Sequence, residues 1–226
     1  MNFGLKTNCF LFVIFIFSVS LLITSCDSVS SSGENGGVDD SLNYVEEVTP
    51  IPGADNVTLI VNSGDETYLE LEFQGIEPND IIENGTLEGW CIDWKTPIST
   101  QNGTYPGLQL YSTYRVEKWN KVNTLLNITD QLKAEDNSIT FREIQAAIWV
   151  LRPHPAFDLN NVDLDELPDD MVRDGEILFD SQKVEEIVNQ VKSKVNSFTY
   201  GEGTRFVVIA ETPVDVQTVI TVVSNQ

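Results

Sequence analysis

The sequence predicts an α+β fold, and three patterns point to it. Apolar residues alternate with polar ones at Val57, Leu59 and Val61 and again at Leu69, Leu71 and Phe73, the period of half-buried strands. Two β-branched runs, Arg205–Ala210 and Val216–Val223, flank Thr212-Pro213 near the end of the chain and read as a closing antiparallel pair. Between these strand-rich ends, three segments repeat apolar residues every three or four positions, as helices do. Strands at both ends with helices between them give an α+β domain. The chain has 226 residues, 41% hydrophobic and 9% aromatic, which is enough to bury a core.

The first forty residues carry a different signal. Lys6 precedes a run from Cys9 to Ile23 that is almost wholly apolar, and no acid occurs before Asp27. The run is short against the ~20 residues that a bilayer span needs, so residues 1–25 read as a signal peptide. Its end, Leu22-Ile23-Thr24-Ser25-Cys26, resembles a bacterial lipobox, which implies that Cys26 is diacylated and becomes the first residue after cleavage. Two acyl chains satisfy the two-signal rule for stable anchoring. Residues 26–43 then hold the lipidated cysteine and a flexible acidic tether, with four serines in Ser28–Ser32 and Gly33, Gly36, Gly37, Asp39 and Asp40. The folded part is read as one domain, residues 44–226.

Within it, the Val57 and Leu69 runs are joined by Gly64-Asp65 as a hairpin. Gly89–Trp94 and Leu108–Tyr114 are further strands joined by a Pro/Ser/Asn/Gly-rich loop. The first helix spans Val116–Asn127, with Trp119, Val122 and Leu126 on one stripe. Thr140-Phe141-Arg142-Glu143 is a capping-box pattern that opens the second, which Pro153 stops after Leu151. The third covers Ser181–Ser197, with Val184, Ile187, Val188, Val191 and Val195 on one face.

Charge narrows the function. The formal net charge is −22, from 35 acidic against 13 basic side chains. Nucleic acid is excluded as a partner, because phosphate neutralisation needs Lys/Arg clusters, and so is electrostatic docking onto an anionic membrane. Of three cysteines, Cys9 leaves with the signal peptide and Cys26 carries lipid. Cys91 is left alone, either as a buried inert thiol or as a reactive one.

The second helix places Gln145 among large apolar neighbours, Phe141, Ile148 and Trp149. A buried carboxamide left unpaired costs roughly 1–3 kcal/mol, so Gln145 is paired with another polar group or its chemistry has been changed. Ile144-Gln145-Ala146-Ala147-Ile148-Trp149 resembles the Thr-Gln-x-Ala-(Ile/Val)-Trp motif of the thioester domains of Gram-positive surface adhesins, and Trp90-Cys91 resembles the family's upstream aromatic-Cys element. Ile144 stands where the family has Thr, and the anchor is a lipid rather than a cell-wall sorting signal. The resemblance implies an antiparallel β-sandwich or barrel-like frame with inserted helices, and a thioester between Cys91 and Gln145. Trp90, Trp94, Trp149 and Tyr111 or Tyr114 are expected to keep water out. A thiolate attacking a carboxamide and expelling ammonia yields an acylating thioester, which an amine of a partner would open, with Cys91 as the leaving group. On this reading the protein is a single-turnover covalent adhesin rather than a turnover enzyme. It would be lipid-anchored at the surface of a bacterial outer membrane and would bind an amine-bearing protein of a host or neighbouring surface. A non-covalent binding or structural lipoprotein of the same fold is the alternative.

Other candidates are weaker. His154, the only histidine, could assist as a base, and Cys91, His154 and Asp158 occur in the order of a transglutaminase-like or papain-like triad. Those enzymes set the cysteine at a helix N-terminus, whereas Cys91-Ile92-Asp93-Trp94 reads as strand and turn. The acidic stretch Asp158–Asp170 lacks the spacing of an EF-hand loop and reads as solvated, with calcium as the alternative. Gly201-Glu202-Gly203 reads as a turn. No cofactor or metal site is expected. The lipobox has a direct test: Cys26→Ala should leave an uncleaved or mislocalised precursor, seen by gel mobility and membrane fractionation, and a mutant that still matures and stays with membranes would sink the assignment.

Overall fold

The computed structural model describes residues 45, 47–151 and 156–226. The signal peptide, Cys26, the tether and His154 lie outside the described residues. Among the described residues there are nine strands: β1 (Thr49–Pro50), β2 (Val57–Ser63), β3 (Leu69–Gln74), β4 (Gly85–Cys91), β5 (Gln101–Ser112), β6 (Val172–Arg173), β7 (Glu176–Ile177), β8 (Arg205–Glu211) and β9 (Val219–Ser224). Three α-helices join them: α1 (Asn120–Glu135), α2 (Phe141–Leu151) and α3 (Ser181–Lys194).

Six strands close an antiparallel barrel in the order β5-β2-β3-β4-β9-β8, with β8 returning to pair with β5. The expected mixed fold is present, and its barrel-like frame is a closed barrel rather than a sandwich. Closure rests on the length of β5. Its first part pairs with β2, from Asn62↔Gln101 to Val57↔Leu108, and its last part with β8, from Gln109↔Glu211 to Ser112↔Val208. The strand therefore starts well before Leu108, inside the polar stretch whose composition reads as loop. That stretch finds a ladder partner in β2 while most of its side chains stay exposed.

The β2–β3 hairpin is as the alternation dictates, with Val57, Leu59, Val61, Leu69, Leu71 and Phe73 all buried and facing the barrel interior. β8 differs: Phe206, Val207, Val208, Ile209 and Ala210 are all buried, because one face fills the barrel and α1 covers the other. α1 packs on β8, α2 on β4, and α3 on both α1 and α2. A 3-10 turn, Glu117–Trp119, leads into α1, which runs eight residues past the expected Asn127 as Thr129 and Leu132 continue the buried stripe. α2 starts as its capping pattern requires. Glu143 Oε2 accepts from Thr140 N at 2.7 Å and from Thr140 Oγ1 at 2.6 Å. Glu143 Oε1 also accepts from Asp180 N at 3.0 Å, and Asp180 in turn caps α3. One buried carboxylate thus ties together the starts of two helices. The expected strand Val216–Val223 begins only at Val219. Residues 213–218 turn instead, with Val216 N bonded to Pro213 O at 2.8 Å and Gln217 N to Pro97 O at 3.1 Å.

Side-chain carboxamides finish this framework where strands run out. Asn127 on α1 receives the N–H of Arg205 at 2.9 Å and donates to its carbonyl at 2.7 Å. Asn84 treats Ile76 the same way, at 2.8 Å in both directions. Each amide substitutes for a neighbouring peptide, so that buried or half-buried main-chain groups stay paired.

Gly89 fixes how closely β4 lies against β3. A Cβ there would sit 2.5 Å from Leu71 Cγ and 2.9 Å from Leu69 Cβ, inside the barrel. Gly89→Ala should destabilise by about 1–3 kcal/mol through overpacking, read as a lowered urea midpoint. An unchanged midpoint would mean that the two leucines move aside freely.

Candidate functional site

The site lies where β4 ends. The β3–β4 ladder stops at Leu69↔Gly89, while on the other side Trp90 and Cys91 still lie opposite Ile220 and Val219 of β9. Ile92 N continues toward β9, donating to Thr218 O at 3.3 Å. Because successive residues of a strand point their N–H and C=O groups to opposite neighbours, those of Cys91 face the side that β3 has left. Gln145 fills that place from α2. Its Oε1 accepts from Cys91 N at 2.9 Å, and its Nε2 donates to Cys91 O at 2.7 Å. Both residues are fully buried. The carboxamide flagged by its apolar neighbours is paired with a peptide, in the manner of Asn127 and Asn84.

The sulfur meets a different glutamine. Cys91 Sγ lies 2.6 Å from Gln217 Oε1, closer than a thiol donor normally sits to a carbonyl oxygen. Gln217 occupies the turn before β9, is 2% exposed, and donates through Nε2 to Asp93 O. The expected Cys91–Gln145 pairing is therefore a backbone pairing, since both amide functions of Gln145 are taken up by the Cys91 peptide, and the side chain facing the thiol is Gln217. In the sequence Gln217 falls inside a run that reads as strand. Its one visible signal was a lone amide inside an otherwise β-branched run.

Burial pushes the Cys91 thiol well above its ordinary range, with the negative charges of Asp93 and Asp170 adding to the shift. The sulfur is thus held as a neutral thiol. Tyr68, just before β3, is buried close enough to feel Cys91, and its phenol is also raised, chiefly by burial. From Tyr68 a row of aromatic contacts runs on. Tyr68 and Trp149 meet edge to face at 6.1 Å, Trp149 and Phe157 lie 5.3 Å apart, and Phe157 meets Trp94 edge to face at 5.2 Å. Trp90, Trp94 and Trp149 are buried, and their indole N–H groups have no acceptor among the described residues. Tyr111 and Tyr114 serve elsewhere. Tyr111 donates to Glu211 at 2.8 Å, and Tyr114 packs on Tyr200 and Phe206. Tyr68 and Phe157 stand with the tryptophans instead. Phe157 also borders a surface hollow of about 410 Å³, which Asp158, Gln182, Glu185 and Lys192 help to line.

The other candidates do not converge here. Cys91 ends a strand rather than starting a helix, and Asp158 is exposed, with Oδ1 accepting from Asn160 N in its own turn. In the acidic loop, Asp163 likewise caps Asp165 N, and Glu166 pairs with Lys95 at 3.0 Å. Among the described residues, no group of three or more His, Cys, Asp or Glu side chains could hold a metal ion. No family model, curated protein or solved structure matches the chain.

The thiol form has two measurable properties. In the folded protein, iodoacetamide should label Cys91 far more slowly than in urea, because the sulfur is buried and protonated. The pH dependence follows from the same shift. The folded state keeps the thiol proton to higher pH than the unfolded state, so this contribution is intact below the unfolded value of about 8.5 and declines as pH rises above it. Urea midpoints of the thiol form should fall on the alkaline side more steeply than those of Cys91→Ala. Parallel profiles would mean that Cys91 is not a buried thiol.

Proposed function

We propose that the chain is a bacterial envelope lipoprotein carrying a thioester-domain-like module, which attaches covalently to a partner by acylating one of its amines. The observation that supports this most directly is the 2.6 Å approach of Cys91 Sγ to Gln217 Oε1 inside a buried site. A thiol donating to Oε1 meets it at an S···O–Cδ angle of at least a right angle, so with a C=O length of about 1.23 Å Sγ stands about 2.9 Å or more from Cδ, and a turn of the Gln217 carboxamide on its own side chain brings that carbon to the sulfur. In that step Sγ adds to Gln217 Cδ and the Cδ–Nε2 bond breaks. The thiol proton leaves with the amide nitrogen as ammonia. No external base is needed for the balance, and a site that favours neutral groups suits it.

The product is an acyl donor whose lifetime depends on excluding water, the task assigned to Tyr68, Trp94, Trp149 and Phe157. A partner amine attacks Gln217 Cδ, the C–S bond breaks, and one amine proton passes to Cys91. The result is an amide between Gln217 and the partner, formed once per molecule. The net charge of −22 favours the approach of a lysine side chain, which attacks as the neutral amine after giving its ammonium proton to solvent. The lipid on Cys26 and the acidic tether would hold the module off an outer-membrane surface, facing a host or neighbouring protein. A non-covalent binding module remains the second reading, favoured by the pairing of both amide functions of Gln217, the oxygen with the Cys91 thiol and the nitrogen with Asp93 O.

Intact mass spectrometry decides between them. The freshly purified full chain should weigh one ammonia less than its composition, read against Cys91→Ala processed in the same way. Gln217→Ala should abolish the deficit, and methylamine should add to the wild type while freeing one titratable thiol. A wild type at full mass with a titratable Cys91 leaves the non-covalent reading.

A further inference from the structure

We infer that Gln145 is a positioning residue: its carboxamide holds the Cys91 peptide in the place of the missing β3 strand, so that the sulfur is presented to Gln217. This rests on the thioester reading and assigns the second glutamine a distinct part in it.

The argument starts from the main chain. At the end of β4, the Cys91 N–H and C=O have lost their ladder neighbour, and they are fully buried. Left free, this peptide would rotate toward any available partner and carry Sγ with it, since Cα orientation sets the direction of the side chain. Gln145 removes that freedom with two opposed bonds, one accepted and one donated. A reciprocal pair of this kind fixes both the distance and the plane of the peptide. The neighbours define the remaining geometry. Ile92 N is bonded to Thr218 O and Gln217 N to Pro97 O, so the two reacting side chains hang from main-chain segments fixed on opposite sides. Asn127 and Asn84 hold other strand ends in the same way, but neither of the residues they hold carries a nucleophile. The inference is therefore specific to the peptide that Gln145 grips.

Gln145→Glu separates positioning from simple stability. It keeps the size and the acceptor but, when ionised, cannot donate to Cys91 O and sets a carboxylate against that carbonyl. When protonated it regains a donor. The other ionisable groups around this point are Cys91 itself, Tyr68, Asp93, Asp169 and Asp170, and the wild type carries all of them at each pH.

The assay uses the full chain. Ammonia resets the site: it attacks Gln217 Cδ, the C–S bond breaks, and the carboxamide and thiol are restored. After ammonia is removed, the return of the one-ammonia mass deficit gives the rate of bond formation. Burial opposes ionisation of the new carboxyl, so relative to wild type at the same pH Gln145→Glu should be slower by at least roughly tenfold only on the alkaline side, at about pH 9.5, and should recover toward wild type at about pH 6. Gln145→Asn, too short to span the gap, should be slow at both. Near-UV circular dichroism of the tryptophans reports whether each variant is folded.

Equal rates in folded Gln145→Glu and wild type at both pH values would overturn the inference while leaving the thioester standing. So would a deficit that survives Gln217→Ala but is absent from Gln145→Glu at every pH, which would make Gln145 the acyl donor. Absence of any deficit in the wild type is a separate result and removes the thioester reading itself.

Discussion

The constraint on which the site depends is the pairing of one peptide. β4 carries Cys91 into the interior just where its neighbour β3 has ended, so two main-chain groups arrive buried and without a strand to meet them. Leaving them unpaired would cost on the order of a few kcal/mol, a large share of the stability of any domain. The carboxamide of Gln145 resolves this from a helix that packs on β4, and much of the surrounding architecture holds that helix in place. Glu143, two residues earlier, secures its start and the start of α3, and Ile144, Ala147 and Ile148 anchor its core face.

Closing the barrel brings Gln217 to the same point. β8 and β9 lie between β5 and β4, so the turn that precedes β9 is carried to the end of β4. Two glutamines from distant parts of the chain then address one cysteine, one through its backbone and one through its sulfur. Their roles follow from what each amide has left to offer. Gln145 spends both of its functions on the peptide, whereas Gln217 turns its oxygen to the thiol and its nitrogen to Asp93 O. Around them, burial raises the thiol's pKa, and Tyr68, Trp149, Phe157 and Trp94 form a row of ring contacts. Neutral reactants, short approach and dryness are the conditions under which a carboxamide can exchange ammonia for sulfur and the product can persist.

The elements legible in the sequence were those whose pattern is local. The β2–β3 hairpin, the capping of α2 by Thr140 and Glu143, the buried stripe of α3 and the β-branched β8 all follow from spacing and cap chemistry. Only the second half of β5 is legible, because Gln101–Gly107 is a strand only by virtue of having β2 beside it. The end of α1 is not, because its last turns are held by packing more than by a strong apolar pattern. β9 begins three residues later than its β-branched run, since Val216 and Thr218 fit a strand yet the main chain bonds instead to the loops at Pro213 and Pro97.

For the site, the sequence by itself determined which residues were unusual: a lone cysteine after a tryptophan, and a glutamine on the apolar face of a helix. It also determined that Gln145 needed a partner, because the hydrogen-bonding demand of a buried amide belongs to the residue and not to its surroundings. Only the tertiary structure decided who that partner is. Whether an amide meets a sulfur or a peptide depends on where a strand stops and which loop a closing barrel delivers, and those are long-range registers that no local pattern encodes. Gln217, which lies 126 positions from Cys91, became part of the site through that closure alone.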